Sequence, residues 1–288
     1  MINWKNFFSN YSFFPRSWFY PLISVTVALS ICLTTALPTP ALEWLPLLLR
    51  GVQVVQLSNM SARQEMALGE QINEQLINSD VKLYRNSAIN SYVQQIGRRL
   101  AAASDRPNLN YTFQVVEDDG INAFATAGGY VYLNTGLLKT AENEAELASV
   151  IAHEIGHIGG RHLIKQMQRK AVNEGLLTAT GLDASQAVKI GVELVRNLPS
   201  SRQNEFDADK RGLKTLSRAG YAQSGMVSFM QKLLSSKRST PTFLSTHPAT
   251  GDRITALQKS IAAQPSSRRE GLDTTSYRAN IRTLISRQ

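Results

Sequence analysis

Residues 143–158 read Asn-Glu-Ala-Glu-Leu-Ala-Ser-Val-Ile-Ala-His-Glu-Ile-Gly-His-Ile and contain the pentapeptide His153-Glu154-Ile155-Gly156-His157. Leu147, Val150, Ile151, Ile155 and Ile158 recur at three- and four-residue steps, the spacing of a helix with one buried stripe. Glu142, Glu144 and Glu146 stand at its start, and Arg161 and Lys165 near its end, as the helix dipole favours. Residues four apart on a helix point within about 40° of each other. His153 and His157 can therefore offer two imidazoles to one metal ion. Glu154 sits about 60° round from His157, on the flank where an activated water would lie. Two ligands, one base and one open position are what zinc-assisted hydrolysis requires. A core helix with two satisfied histidines would carry the same five letters, so support must come from elsewhere in the chain.

A catalytic zinc commonly takes three protein ligands. Downstream, residues 199–214 run Pro-Ser-Ser-Arg-Gln-Asn-Glu-Phe-Asp-Ala-Asp-Lys-Arg-Gly-Leu-Lys. Ser200 and Gln203 make a capping box, which predicts a helix starting there. Glu205 and Asp209 then share one face. Glu205 is the candidate third ligand. Asp209 is placed to accept a hydrogen bond from the free ring N–H of a ligand histidine, fixing its tautomer. Asp207 lies about 160° from Asp209 and is expected in solvent. The bland alternative for this acidic helix is an ordinary surface face.

His153–His157, Arg161-His162, Glu205-Phe206-Asp207-Ala208-Asp209 and Ser245-Thr246-His247-Pro248 follow one another in that order. Together they resemble the HtpX/BepA-like zinc metallopeptidases, the gluzincin family that also includes the CAAX prenyl endopeptidases. Asn122-Ala123-Phe124-Ala125, Gly128-Gly129 and Gly136-Leu137-Leu138 extend the likeness, which covers roughly residues 60–260. It departs at Ala127, where proline is expected before the glycine pair. The resemblance implies a zincin-like endopeptidase domain holding one Zn²⁺, with Asn122, Ala123 and Phe124 lining the substrate cleft. It also implies unfolded or damaged membrane or exported polypeptides as substrates. The alternative is a chaperone-like or binding protein on the same scaffold. The intact Glu154 speaks against it, because a structural metal site gains nothing from a base beside an open position. Prenyl-protein processing wants a multi-spanning membrane chamber, and the chain offers one candidate span.

The chain has 288 residues, 43% of them hydrophobic, enough for one sizeable domain with appendages. Its net charge of +9 suits anionic surfaces such as a membrane. The basic residues are scattered and no nucleic-acid motif accompanies them, so nucleic acid is not an expected partner. Cys32 is the sole cysteine, which excludes disulfides and cysteine ligands and suits an oxidising compartment. Lys5 and Arg16 precede an uncharged stretch, Ser17–Leu42, whose core is near membrane-spanning length. Positive charge ahead of this stretch predicts export of the chain beyond it, with residues 1–42 as a cleaved signal or a retained anchor. Residues 43–60 are an apolar lead-in, 61–263 the peptidase domain and 264–288 a polar, solvent-exposed tail or peripheral helix. The protein is expected to be extracytoplasmic, periplasmic in a cell with two membranes.

The periodicities give an α+β fold, mainly helical, with a small sheet or hairpin beside the histidine helix. Helices are predicted from Ser61 to about Asn78, Ser87–Ala103, Gln223–Leu234 and 252–263, and strands over 110–117, 122–126 and 130–133. A strand just ahead of the histidine helix is well placed to pair with an extended peptide. Residues 171–198 read either as a mobile lid or as two packed helices. A tetrahedral oxyanion needs a donor besides the metal. His247 is the first candidate and Arg253 the second, although His247 could instead close the metal site as a fourth ligand. His162 falls about 140° off the ligand face of a continuous helix and is read as a structural or surface histidine.

Overall fold

The structure is a computed structural model describing residues 54–176, 181–197, 199–235, 241–248, 251–264 and 269–286. The apolar N-terminal stretch, most of the lead-in segment and residues 236–240 lie outside the described residues. Among those described, no helix is long and apolar enough to cross a membrane.

The chain begins with a short strand, β1 (Val54–Val55), followed by helices α1 (Ala62–Ser79) and α2 (Ser87–Ala102). Ser61 caps α1 through a complete capping box with Gln64, as the sequence indicates. Strands β2 (Thr112–Val116), β3 (Ala123–Ala125) and β4 (Tyr130–Asn134) form a mixed sheet in the order β2-β4-β3. β2 runs parallel to β4, pairing Thr112 with Tyr130 and Val116 with Asn134. β3 runs antiparallel, pairing Ala123 with Leu133 and Ala125 with Val131, so it is the sheet edge. The β3–β4 hairpin turns at Ala127–Gly129, where Gly128 has φ +75° and an added Cβ would lie 2.9 Å from the Met66 backbone.

The short helix α3 (Thr135–Thr140) leads into α4 (Glu144–Gly159), the histidine helix, capped by Asn143. Every residue from Ala145 to Ile158 is buried. The single apolar stripe expected for this helix is therefore an understatement: α4 is enclosed on all sides, its polar side chains included. α5 (His162–Asn173), the two-residue strand β5 (Leu182–Asp183) and α6 (Ala184–Asn197) follow. β5 pairs with β1, and α6 packs on α1 and α5, so one packed helix stands where two were expected, with residues 177–180 and 198 outside the described residues. α7 (Arg202–Ala219) crosses α4 and ends at Gly220 in the left-handed conformation.

The close α4–α7 crossing depends on two glycines. A Cβ on Gly156 would lie 2.5 Å from the Ala208 carbonyl oxygen, and one on Gly212 would lie 3.1 Å from that of Ala152. α8 (Ser224–Ser235), α9 (Thr242–Thr246), α10 (Gly251–Ala263), α11 (Thr274–Asn280) and α12 (Arg282–Ile285) complete the chain. The last two correct the expected solvent-exposed tail. Tyr277, Ile281 and Leu284 join the core around α4, and the Tyr277 hydroxyl donates to the Leu138 carbonyl at 2.6 Å. The polar composition of this segment hides three apolar residues at helical spacing.

Candidate metal centre

α4 directs His153, Glu154 and His157 toward one point, and α7 brings Glu205 and Asp209 against them. His247, just after α9, completes the group. One ligand atom each from His153, His157, Glu205 and His247 lies within 4.8 Å of the others, and all four residues are buried. The Nε2 atoms of His153 and His157 are 3.0 Å apart. The Glu205 carboxylate is 3.4 Å from the first and 3.3 Å from the second. His247 Nδ1 is 3.4 Å from His153 Nε2 and 3.3 Å from Glu205.

Such crowding of buried lone pairs calls for a cation. Glu154, Glu205 and Asp209 are three buried carboxylates facing one buried guanidinium, that of Arg253. Neither Glu154 oxygen has a hydrogen-bond partner, and the nearest cationic candidate, His247 Nε2, is at the ion-pair distance of 3.5 Å. Imidazoles with one carboxylate are a donor set that suits zinc. The residues present therefore fit one zinc ion.

The protonation pattern has the same cause. Burial opposes charge on His153, but Asp209 and Glu205 outweigh it and push its pKa up to about 10. Burial pushes its neighbour His157 down to about 3, with the His153 charge acting in the same direction. Burial would raise the Glu205 carboxyl, yet the three rings around it hold it far below the usual carboxylate range. Glu154, without such partners, is raised by burial.

Asp209 stands where the helix spacing puts it, with Oδ1 3.0 Å from His153 Nδ1. A carboxylate only accepts, so His153 carries its proton on Nδ1 and leaves Nε2 for the metal. Arg253 corrects the sequence reading. Its Nε and Nη2 grip Asp209 at 2.7 Å each, and Nη1 is 2.8 Å from Glu205. A guanidinium so engaged, and 1% exposed, braces the two acids and does not face an open position.

Ser200 is also corrected. The cap of α7 is Ser201, whose Oγ accepts from Asn204 N, because the Ser200 N–H is bonded to the Thr246 carbonyl in the His247 loop. Asp207, expected in solvent, accepts from His162 Nε2 at 3.0 Å and from Arg211 Nε at 2.7 Å. His162 itself is 2% exposed, no surface residue, with Nδ1 2.9 Å from His157 Nδ1. Burial pushes its pKa down to about 4 despite Asp207. An offset of 140° presupposes one helix through position 162. In fact α4 ends at Gly159, Arg161 adopts φ +53°, and α5 starts afresh. The adjacent glycines 159 and 160 are the available signal of that break.

Beside the centre runs a cleft lined by Phe124–Ala127, Glu154, Ile158, Leu194 and His247. Of the residues expected to contact substrate, Phe124 is half-buried here and stacked on Tyr132, ring centroids 4.5 Å apart. Ala123 corrects the sequence reading: it is fully buried, backbone included, and does not line the cleft. Asn122 gives its carbonyl to Asn134 N, and its side chain accepts from Thr246 at 3.5 Å. Asn122 and Thr126 both bond β4, and strand alternation then turns the backbone N–H and C=O of Ala125, which lines the cleft, away from β4.

A family profile described as Peptidase family M48 matches residues 87–261. A Vibrio cholerae relative is 33% identical over 253 residues, 82% of this chain and 52% of its own length. The beta-barrel assembly-enhancing protease of Escherichia coli (strain K12) is 32% identical over 213 residues, 68% of this chain and 44% of that protein. The chain thus spans about half the length of these two relatives. Metalloprotease LoiP, from the same E. coli strain, is 28% identical over 228 residues, 75% of this chain and 88% of its own length.

Proposed function

We propose, starting from the fact that the chain belongs to Peptidase family M48, that it is a zinc-dependent endopeptidase with its catalytic machinery in residues 61–263. The observation that supports this most directly is the carboxylate of Glu154, whose oxygens have no hydrogen-bond partner, buried beside a three-histidine, one-carboxylate cluster. His153, His157 and Glu205 would hold the zinc. Zinc so bound supplies a Lewis acid that polarises the scissile carbonyl and makes water nucleophilic near neutral pH. Glu154 accepts the proton of the attacking water. Once the C–N bond breaks, it returns that proton to the leaving amine. An extended substrate pairs with the edge of β3 through the backbone of Ala125, in the manner of an added strand. Phe124 and Leu194 then border an apolar side-chain site.

His247 lines the cleft and also brings a ring nitrogen among the other three donors, which supports a fourth-ligand role over that of oxyanion donor. We assign it the role of closing the resting site, which makes a latent enzyme of the same chain that would otherwise read as a binding protein. The designation of the E. coli relative supports substrates among incompletely folded exported or membrane proteins. The apolar stretch Ser17–Leu42 supports export of the domain. The test is digestion of an unfolded test protein by the full chain and by Glu154→Gln, at equal zinc content. Loss of a general base should lower the rate about 10²–10⁴-fold. Equal rates would reject the assignment.

A further inference from the structure

His153 and His157 are held in different ways, and the second is not explained by the helix spacing. His153 donates its Nδ1 proton to a carboxylate, Asp209. His157 Nδ1 faces another imidazole, His162 Nδ1, at 2.9 Å, and one of those two nitrogens must carry a hydrogen. The far side of His162 decides which. Its Nε2 is 3.0 Å from Asp207 Oδ2, an atom that also accepts from Arg211 Nε at 2.7 Å. Asp207 only accepts, so His162 carries a hydrogen on Nε2. A histidine that gives its Nε2 to a metal carries its own hydrogen on Nδ1, so the one hydrogen between the two Nδ1 atoms belongs to His157. His157 must then donate from Nδ1, and its Nε2 lone pair is left pointing at His153 and Glu205.

The backbone is built for this contact. A helix continued through position 162 would aim that side chain about 140° away from His157. Instead the left-handed Arg161 turns the chain back, and Gly160 makes room for the ring: a Cβ there would lie 2.2 Å from His162 Nε2.

We infer that His162 is a positioning residue of the metal centre: anchored by Asp207, it accepts the Nδ1 proton of His157 and so fixes the tautomer and orientation that present His157 Nε2 to the metal. The inference rests on the proposed metal centre. His162 touches neither zinc nor substrate and acts through His157.

The test uses the full chain with zinc itself as probe. Zinc affinity is measured by competition with a chromogenic chelator, the ring-nitrogen protonation of His157 by proton–nitrogen NMR, and folding by thermal unfolding. In the unmodified chain His157 should be protonated on Nδ1. His162→Phe removes the acceptor and should weaken zinc binding about 10–100-fold, the usual effect of losing such a partner. His162→Gln can accept from His157 and donate to Asp207, so its affinity should stay near that of the unmodified chain. Gly160→Ala should weaken zinc in the same direction as His162→Phe. The inference is overturned if His162→Phe binds zinc as tightly as the unmodified chain, if His162→Gln is as weak as His162→Phe, or if His157 Nδ1 carries no proton. Should His162→Phe fail to fold, the NMR result and the Gln variant decide. Failure of the unmodified chain to bind zinc at all would instead bring down the metal centre itself.

Discussion

Gly156→Ala adds one methyl group at the point where the two ligand-bearing helices touch. Its Cβ would lie 2.5 Å from the Ala208 carbonyl oxygen, against an ordinary contact distance of 3.4 Å or more. The helices must separate by about 0.9 Å along that line, since the obstacle is backbone and cannot rotate away. Overpacking of this kind costs about 1–3 kcal/mol, and a rigid obstacle belongs at the upper end. Alanine recovers about 1 kcal/mol of helix propensity. The net is a loss of about 1–2 kcal/mol, which lowers the melting temperature of a unit this size by about 2–8 °C. The separation also carries Glu205 and Asp209 away from His153 and His157, and a displacement near 1 Å can cost about 100-fold in turnover. Gly159→Ala is the control: it lies in the same helix, and its nearest neighbour would be an Arg211 side-chain carbon at 3.6 Å. Thermal unfolding and peptide hydrolysis of the two variants would be compared. Gly156→Ala melting at or above the parent with full activity would refute the close-approach argument.

His247→Ala should raise hydrolysis of an unfolded substrate if His247 closes the site, whereas a fall would restore it as an oxyanion donor. Arg253→Met should destabilise the fold by about 3–5 kcal/mol, because it strands Asp209 and Glu205 as buried charges; denaturant unfolding measures this, and a change below about 1 kcal/mol would contradict the bracing role. Asp183 begins α6, accepting from Ser185 N at 2.9 Å and Gln186 N at 3.2 Å. The Ser185 hydroxyl and then the Gln186 N–H hold its carboxyl below its ordinary value of 3.8. A depressed folded pKa gives stability that is present above 3.8 and lost as pH falls through the lower folded value. Asp183→Ala should therefore cost about 1 kcal/mol near neutral pH, with the gap to the parent narrowing below pH 3.8; a pH-independent gap would contradict this.

Much of the centre is legible because its parts obey short-range rules. His153, His157, Glu205 and Asp209 are each placed by a four-residue step on a regular helix. The Ser61 helix start likewise depends on its immediate neighbours. The features hidden from the sequence depend on how helices meet. Gly156 reads as a spacer in its motif, and only the Ala208 carbonyl shows why no side chain fits there. His162 reads as pointing away because a helical angle does not carry across a helix break. Arg253 reads as an oxyanion donor because its two acidic partners come from another helix. Burial of α4 on its polar flank is equally a tertiary fact, for no local pattern announces that a glutamate will be enclosed.

The segment beyond α10 gives the molecule an order in time. Gly271 accepts a hydrogen bond from Ala145 N at 2.8 Å, close to the first turn of α4, and Tyr277 seals the floor beneath Leu138. Synthesis proceeds from the amino end, so α4 and α7 emerge before the residues that clamp them. A nascent or interrupted chain ending near Ala263 would carry every zinc donor yet lack that clamp. Packing around the donor-bearing helices is thus completed only by residues as far along the chain as Leu284.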